Sequence, residues 1–142
     1  MRLYAFQNMY LSGVQAGIQT QHSTVQLFVK YQPNMEPDPR TELLYEWATN
    51  HETTIILNGG DHENLACIYE VLADLDTLPF AAFREEGVNN SLTNVCVVVP
   101  EDMYTEAKNL RERKIDFDTL SMNFNEKEIK LIVLLTESRL MN

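Results

Sequence analysis

Short apolar runs alternate with longer segments of helical spacing along the first hundred residues. The apolar runs predict four strands, at residues 3–8, 53–57, 80–84 and 95–99. Between them, apolar positions recur every three or four residues, which predicts a first helix at 14–31, a second that Thr41 caps and a third that Asp61 caps. Three prolines predict a connector at 32–39, between the first two helices.

This order of strands and helices is typical of an α/β protein. Helical crossovers join parallel strands, whereas a hairpin joins the last two strands in antiparallel fashion, so the sheet is expected to be mixed. We therefore predict that residues 1–100 form a three-layer α/β sandwich, with a four-stranded mixed sheet and helices on both of its faces.

The pattern beyond these residues is helical only. Apolar spacing predicts helices at 102–114 and 125–140, with a hinge at 115–124 between them. The apolar residues of the last helix cover a face wider than the single stripe that packs one helix face against a core. This predicts docking on the sheet and, as a further hypothesis, contact with a second subunit in a homodimer. We expect residues 101–142 to form a C-terminal helical extension that packs on the same domain.

Charge argues against general nucleic-acid binding. The chain has 21 acidic and 11 basic residues, a net charge of −10, and residues 1–100 hold four basic side chains against twelve acidic ones. Because affinity for nucleic acids draws on phosphate neutralisation by Lys and Arg, such a surface repels them. Four cations cluster in the extension, as a local basic patch or a solvated stripe that balances nearby glutamates: Lys108, Arg111, Arg113 and Lys114.

Cysteine usage and apolar run lengths bear on compartment and cofactors. Cys67 and Cys96 each lie in an apolar context, which favours buried free thiols over the alternative of a disulfide and suits a reducing cytoplasm. His, Cys, Asp and Glu do not group with the spacing of a metal site, so neither a metal nor a cofactor is predicted. No stretch approaches the ~18–20 apolar residues of a membrane-spanning helix. We therefore expect a cytoplasmic protein without membrane contact.

The predicted first helix carries a line of polar residues. Gln15, Gln19 and His22 stand at i, i+4 and i+7, which places them on one helix face. An imidazole in such a line can shuttle a proton or donate a hydrogen bond. The alternative is a solvated helix face with an ordinary histidine.

Two loops at predicted strand ends carry further polar residues. Glu85 follows the third strand, where a carboxylate can orient a water or accept its proton, and Asn90 and Thr93 can hold polar groups of a substrate. Asn58 ends the second strand, where α/β sheets tend to bind ligands. The alternatives are an acidic hairpin loop and an ordinary strand-to-helix turn.

Two stretches resemble motifs of the type 2 peptidyl-tRNA hydrolase family. Residues 19–23, Gln-Thr-Gln-His-Ser, are similar to the family's Gln-x-x-His-Ala pattern. Residues 78–85, Leu-Pro-Phe-Ala-Ala-Phe-Arg-Glu, followed by Leu-Thr-Asn-Val at 92–95, are similar to its later segment, with Glu85 at the carboxylate position. The order of the predicted strands and helices is also similar to that of the family, so the resemblance covers residues 2–100.

The resemblance implies hydrolysis of the ester between a peptide and tRNA, without metal or cofactor. In that scheme Glu85 activates or orients water, Gln19 and His22 frame the site, and Asn90 and Thr93 position the substrate. A family lysine falls on Gln15, which offers only a neutral hydrogen bond. The alternative is a catalytically inactive, hydrolase-like binding or regulatory module that recognises a protein or a small polar ligand.

Overall fold

A computed structural model describes residues 1–33 and 36–142, so residues 34–35 of the predicted connector lie outside it. Over the described residues the chain forms four strands: β1 (Arg2–Gln7), β2 (Thr54–Asn58), β3 (Phe80–Glu85) and β4 (Ser91–Val99). It also forms six α-helices: α1 (Val14–Lys30), α2 (Pro39–Glu46), α3 (His62–Leu75), α4 (Glu101–Arg111), α5 (Phe117–Asn123) and α6 (Glu126–Glu137). One π-helical turn (Trp47–His51) continues α2, and a 3₁₀ turn (Glu86–Val88) links β3 to β4.

The strands form one mixed sheet in the order β2-β1-β4-β3. β1 and β2 are parallel, whereas β4 is antiparallel to both β1 and β3. Because side chains alternate along a strand, Leu3 and Ala5 pack under α1 and α2, while Tyr4 and Phe6 pack under α3, α4 and α6. The predicted α/β sandwich with helices on both faces is confirmed.

The extension contributes to the larger of the two apolar clusters. Leu131, Ile132 and Leu135 of α6 are buried there, beside Met103 of α4 and Leu120 of α5. Contacts with α3 and α4 account for the wide apolar face of α6 within one chain.

Two helix starts differ from the prediction, and one agrees with it. Asp38, not Thr41, caps α2, because its carboxylate accepts the Arg40 N–H and Pro39 fits the first helical position. The predicted hinge at 115–124 is wrong, since α5 occupies it with Asp116 as its cap. Asp61 caps α3 as predicted, by accepting the Asn64 N–H.

The last helix is shorter than the spacing predicts. It ends at Glu137, and the chain then runs along the outer edge of β2. The Asn58 N–H donates to the Arg139 carbonyl at 2.8 Å, and the Met141 N–H donates to the Ile56 carbonyl at 2.9 Å. The chain's own C-terminal segment therefore covers this edge of the sheet.

The two thiols lie in different surroundings. Both are free, but only Cys96 is buried, where burial raises its pKa to about 12. Cys67 is exposed on α3, so the prediction that both thiols are buried is wrong. Its position falls on the solvent side of a helix whose other face carries Leu65, Ile68 and Leu72.

Candidate functional site

A layer of polar side chains lies between α1 and one end of the sheet, where β1 ends and β4 begins. Among the described residues, every buried Gln, Asn, Ser and Thr belongs to this layer: Gln7, Asn8, Gln19, Thr20, Ser23, Thr93 and Asn94. Burying such groups is costly unless they are hydrogen-bonded, and each buried side-chain polar atom described has a partner. The polar layer is therefore a fully hydrogen-bonded part of the fold rather than a packing defect.

Asn94 is the hub of the inner part of this layer. Its Nδ2 donates to Gln7 Oε1 at 2.8 Å and to Thr20 Oγ1 at 3.2 Å, and its Oδ1 accepts from Ser23 Oγ. Gln7 Nε2 in turn donates to the Leu11 carbonyl at 3.0 Å, just before α1. The inner network thus ties α1 to β1 and β4 in one relative position.

Gln19 forms the outer part of the layer and links two other elements. Its Oε1 accepts from Thr93 Oγ1 at 2.6 Å, and its Nε2 donates to Glu85 Oε2 at 3.0 Å. Because Thr93 binds the oxygen of this amide, the nitrogen faces the carboxylate. Gln19 is 2% exposed, so this orientation is fixed away from solvent.

An irregularity in the β3–β4 hairpin makes this arrangement possible. Phe83 pairs with Asn94 and Arg84 pairs with Leu92, so the strand register skips Thr93, whose Oγ1 lies 3.3 Å from the Phe83 carbonyl. A bulge of this kind breaks the alternation of side chains. Thr93 and Asn94, although consecutive, both reach α1, one to Gln19 and the other to Thr20.

Glu85 ends β3 as a half-buried carboxylate held by hydrogen bonds. The pKa of Glu85 is lowered, first by the Gln19 amide, then by the Gly87 N–H, and also by the nearby His22. The group is therefore ionised at neutral pH, with one oxygen committed to Gln19. It can accept a hydrogen bond from a water or from a ligand.

His22 lies beside this carboxylate on the same helix face as Gln19. Its ring stacks on Phe83, with ring centroids 4.4 Å apart and planes 18° from parallel. Stacking holds the half-buried imidazole against Phe83 of β3, which lies one residue before Arg84 and two before Glu85. An imidazole so placed can donate a hydrogen bond to a group that approaches Glu85.

The other candidates occupy different positions. Gln15 is exposed one turn before Gln19. Asn90 is exposed in the hairpin with a positive φ of 57°. Asn58 of β2 pairs with Gln7, two strands away from Thr93, and its exposed side chain accepts the Gly60 N–H at 2.9 Å in a turn. The structure thus brings Gln19, His22, Glu85 and Thr93 together, leaves Gln15 and Asn90 outside their hydrogen bonds, and separates Asn58 from them.

Sequence reasoning missed the inner network. A signal was present, because Asn94 directly precedes the apolar run 95–99 and Gln7 ends the run of β1. Polar residues at such places in buried strands indicate a partner across the sheet. Thr20 and Ser23 of α1 are the matching signal, since both lie on its buried face.

Apolar side chains on neighbouring segments are exposed. They follow β1, lie on the outer face of α1 and stand in the hairpin: Met9, Tyr10, Val14, Ile18 and Val88. Singly exposed apolar groups are ordinary on protein surfaces, so these side chains do not by themselves define a contact site.

The basic cluster of the extension lies on the other face of the sheet. Arg111 donates to the carbonyls of Leu135 and Thr136, and Lys114 pairs with Glu112 at 2.6 Å. These cations are thus partly committed to the contact between α4 and α6 and to a neighbouring carboxylate. Arg84, next to Glu85, donates to the Asn90 carbonyl at 3.4 Å.

No group of three or more His, Cys, Asp or Glu side chains among the described residues is arranged to hold a metal ion. No helix in the described part of the chain is long and apolar enough to cross a membrane. The chain matches no family model and no curated protein. The resemblance to type 2 peptidyl-tRNA hydrolases therefore remains a hypothesis.

Proposed function

We propose that the chain is a hydrolase of the type 2 peptidyl-tRNA hydrolase kind, which cleaves the ester between a peptide and tRNA. The observation that carries this proposal is the hydrogen-bonded set Gln19–Glu85–Thr93. Its members lie 66 and 74 residues apart in sequence, yet meet at one end of the sheet beside His22. Together with His22, they are four of the five residues for which the resemblance implies roles.

Glu85 is the residue proposed to act on water. Its free lone pairs accept a hydrogen bond from a water that attacks the ester carbonyl carbon, and the carboxylate takes the water proton as the carbon–oxygen bond forms. The tetrahedral intermediate then expels the 3′ oxygen of the tRNA, to which the proton passes. Because a carboxylate with a lowered pKa is a weak base, its main contribution is orientation of the water.

Gln19 and Thr93 are positioning residues in this scheme. Thr93 holds the amide oxygen of Gln19, so that the amide nitrogen holds Glu85. His22, stacked on Phe83, donates a hydrogen bond to the leaving oxygen. Such assistance by positioned side chains contributes about 10²–10⁴-fold to rate.

The test is release of peptide from purified peptidyl-tRNA at low salt. Glu85→Gln keeps the shape of the side chain but removes its charge, so kcat should fall by about 10²–10⁴-fold. Glu86→Gln removes the same charge from the next residue, which is exposed, and should leave kcat unchanged. Wild-type release no faster than in buffer contradicts the proposal.

A second candidate function is a hydrolase-like binding module, and one observation favours it. Gln15 stands exposed where the resemblance implies a lysine, so no cation on that turn meets a phosphate or a developing negative charge. Gln15→Lys separates the two functions. A gain in peptidyl-tRNA hydrolysis supports the hydrolase, whereas an unchanged absence of hydrolysis, with a protein ligand bound, supports the module.

A further inference from the structure

The two outer edges of the sheet differ in whether another segment of the chain covers them. At the β2 edge, residues 139–141 of the same chain form backbone hydrogen bonds with Ile56 and Asn58. At the opposite edge, β3 pairs only with β4 among the described residues. An exposed strand edge is a template for pairing with another extended segment.

Only part of the β3 edge is open. The Val98 N–H donates to the Pro79 carbonyl, so Ala81 and Phe83 face β4, while Phe80, Ala82 and Arg84 face outward. Side chains occupy the outward backbone groups of Phe80. Lys30 Nζ donates to its carbonyl at 3.1 Å, and Tyr31 Oη contacts its carbonyl and N–H at 3.3 and 3.4 Å. The open edge therefore runs from Ala82 to Glu85, the residue of the proposed hydrolysis.

A groove follows this open edge. It has a volume of about 810 Å³. Ala81, Ala82, Phe83 and Arg84 line it along β3, and the two alanines contribute only small side chains. Val29 of α1 forms one wall and Tyr69 of α3 the other, and both are partly exposed apolar side chains.

The groove carries an unusual share of positive charge for this chain. Lys30 and Arg84 line it, and they are two of the four basic residues within residues 1–100. Glu70 is the one acidic residue that lines it among the described residues. An extended segment with carboxylate side chains is therefore better matched to this groove than a basic one.

We propose that this groove binds the peptide arm of the substrate as an added strand, parallel to β3, with its C-terminal carbonyl at Glu85. The inference rests on the proposed hydrolase function. The direction follows from the chemistry, because the ester lies at the C-terminal end of the peptide and Glu85 lies at the C-terminal end of β3. At about 3.3 Å per residue, the open edge accommodates about four residues. Backbone hydrogen bonds give the affinity, and alternate side chains meet the apolar walls.

The first experiment tests strand pairing with peptides that contain no ester. N-acetylated hexapeptide amides of alternating valine and glutamate are titrated into the full chain while the amide resonances of Ala82 and Arg84 are followed by NMR. Single N-methyl groups are then placed along the peptide. Loss of one backbone hydrogen bond should weaken binding about tenfold at every second position and little at the positions between. Uniform tolerance of N-methylation overturns the proposal.

Variants of the chain provide matched controls. Ala82→Pro removes an outward N–H and should abolish the peptide-induced shifts, provided that circular dichroism shows an intact fold. Val29→Glu places a negative charge in the groove, which repels the glutamates of the peptide, whereas Val25→Glu places the same charge one turn earlier, outside it. Weaker binding in the first variant alone supports the proposal. Equal binding in both, or a wild-type dimer that Ala82→Pro dissociates, overturns it, because the edge would then serve a second copy of the chain.

Hydrolysis kinetics distinguish the proposed peptide-binding groove from the proposed hydrolase function on which it rests. With peptidyl-tRNA substrates of increasing peptide length, kcat/KM should rise to about four residues and then level off. Hydrolysis without length dependence overturns the groove and leaves the hydrolase. Peptide binding at β3 without any hydrolysis overturns the hydrolase and the ester-end assignment, and leaves a peptide-binding groove.

Discussion

The two faces of the sheet bury different kinds of side chain. The face under α3, α4 and α6 buries an almost wholly apolar cluster, from Phe6 and Val97 to Leu131. The face under α1 buries a smaller apolar cluster and, at one end, the polar layer around Asn94 and Gln19. Apolar contact is non-directional, whereas hydrogen bonds require fixed geometry. The first face therefore supplies stability, and the second fixes the position of Glu85.

Helix α1 begins differently from α3, α5 and α6 of the opposite face. Side chains cap α3, α5 and α6, through Asp61, Asp116 and Asn125. By contrast, α1 begins at Gly13 without a side-chain hydrogen bond and exposes a stripe of valines and isoleucine on its outer face. Its position thus depends on tertiary contacts, of which the polar layer provides a large part. Changes on the two faces should consequently separate stability from function.

The largest effect on stability is expected from Leu131→Ala. Leu131 is fully buried in α6, so its truncation should lower the free energy of unfolding by about 2–5 kcal/mol. Urea denaturation measures the loss, with exposed Lys130→Ala as the control. Hydrolysis or peptide binding at a temperature where the variant is folded should be unchanged. Two separate transitions instead of one would show that the extension unfolds independently of the sheet.

A smaller loss of stability with a larger loss of function is expected from Asn94→Ala. The change leaves Gln7 Oε1 without its donor and removes one of the two acceptors of the Ser23 hydroxyl, which costs about 1–3 kcal/mol. Because Asn94 also holds Thr20, α1 should shift relative to β4 and weaken the contact of Gln19 with Glu85. The exposed Asn123→Ala should change stability by less than about 0.5 kcal/mol. A variant that retains full site function would contradict the positioning role of the layer.

Sequence patterns predict elements better than they predict this layer. The strand at 53–57 and the helix after Asp61 are local patterns, and the structure has them within one residue at 54–58 and 62–75. The start of α2 was misplaced because Asp38 and Thr41 are both good caps, and Pro39 decides between them. The spacing does not predict the helix at 117–123, because its seven residues, about two turns, leave little periodicity.

The site depends on long-range register, which a single sequence does not encode locally. Spacing along α1 predicts that Gln19 and His22 share a face, but not that Gln19 turns inward to Thr93. The skipped pairing of Thr93 is a property of the β3–β4 register. Without it, strict alternation predicts that Thr93 and Asn94 point to opposite faces. The carboxylate position at Glu85 followed instead from the family resemblance.

A modest effect is expected from Asp61→Ala, on the apolar face. Asp61 accepts the Asn64 N–H at the start of α3, and loss of such a cap costs about 1 kcal/mol. Thermal unfolding measures the change, and Asp61→Asn, which retains a capping oxygen, should lose no more than a few tenths of a kcal/mol. Neither variant should alter the titration of Glu85. An equal loss in both variants would show that charge, rather than the hydrogen bond, stabilises this helix start.

The smallest effect concerns the titration of Glu85 and tests the polar face directly. The pKa of Glu85 is lowered chiefly by the Gln19 amide, so Gln19→Leu should raise it. A carboxyl whose pKa is lower in the folded chain than in the unfolded chain stabilises the fold above the unfolded pKa, and this contribution is lost as the pH falls through the folded pKa. In the variant, protonation should therefore begin at a higher pH on descent, and the acid limb of any hydrolysis profile should move upward with it.

Carboxyl resonances followed by NMR measure this shift. The matched control is Gln15→Leu, which makes the same substitution one turn earlier on the exposed side of α1 and should leave the titration of Glu85 in place. A residual lowering should persist in Gln19→Leu, because the Gly87 N–H still donates to Glu85 Oε1 at 3.3 Å. If Gln19→Leu leaves the titration unchanged, the amide does not hold the carboxylate in solution, and the link between the buried layer and the proposed site is broken.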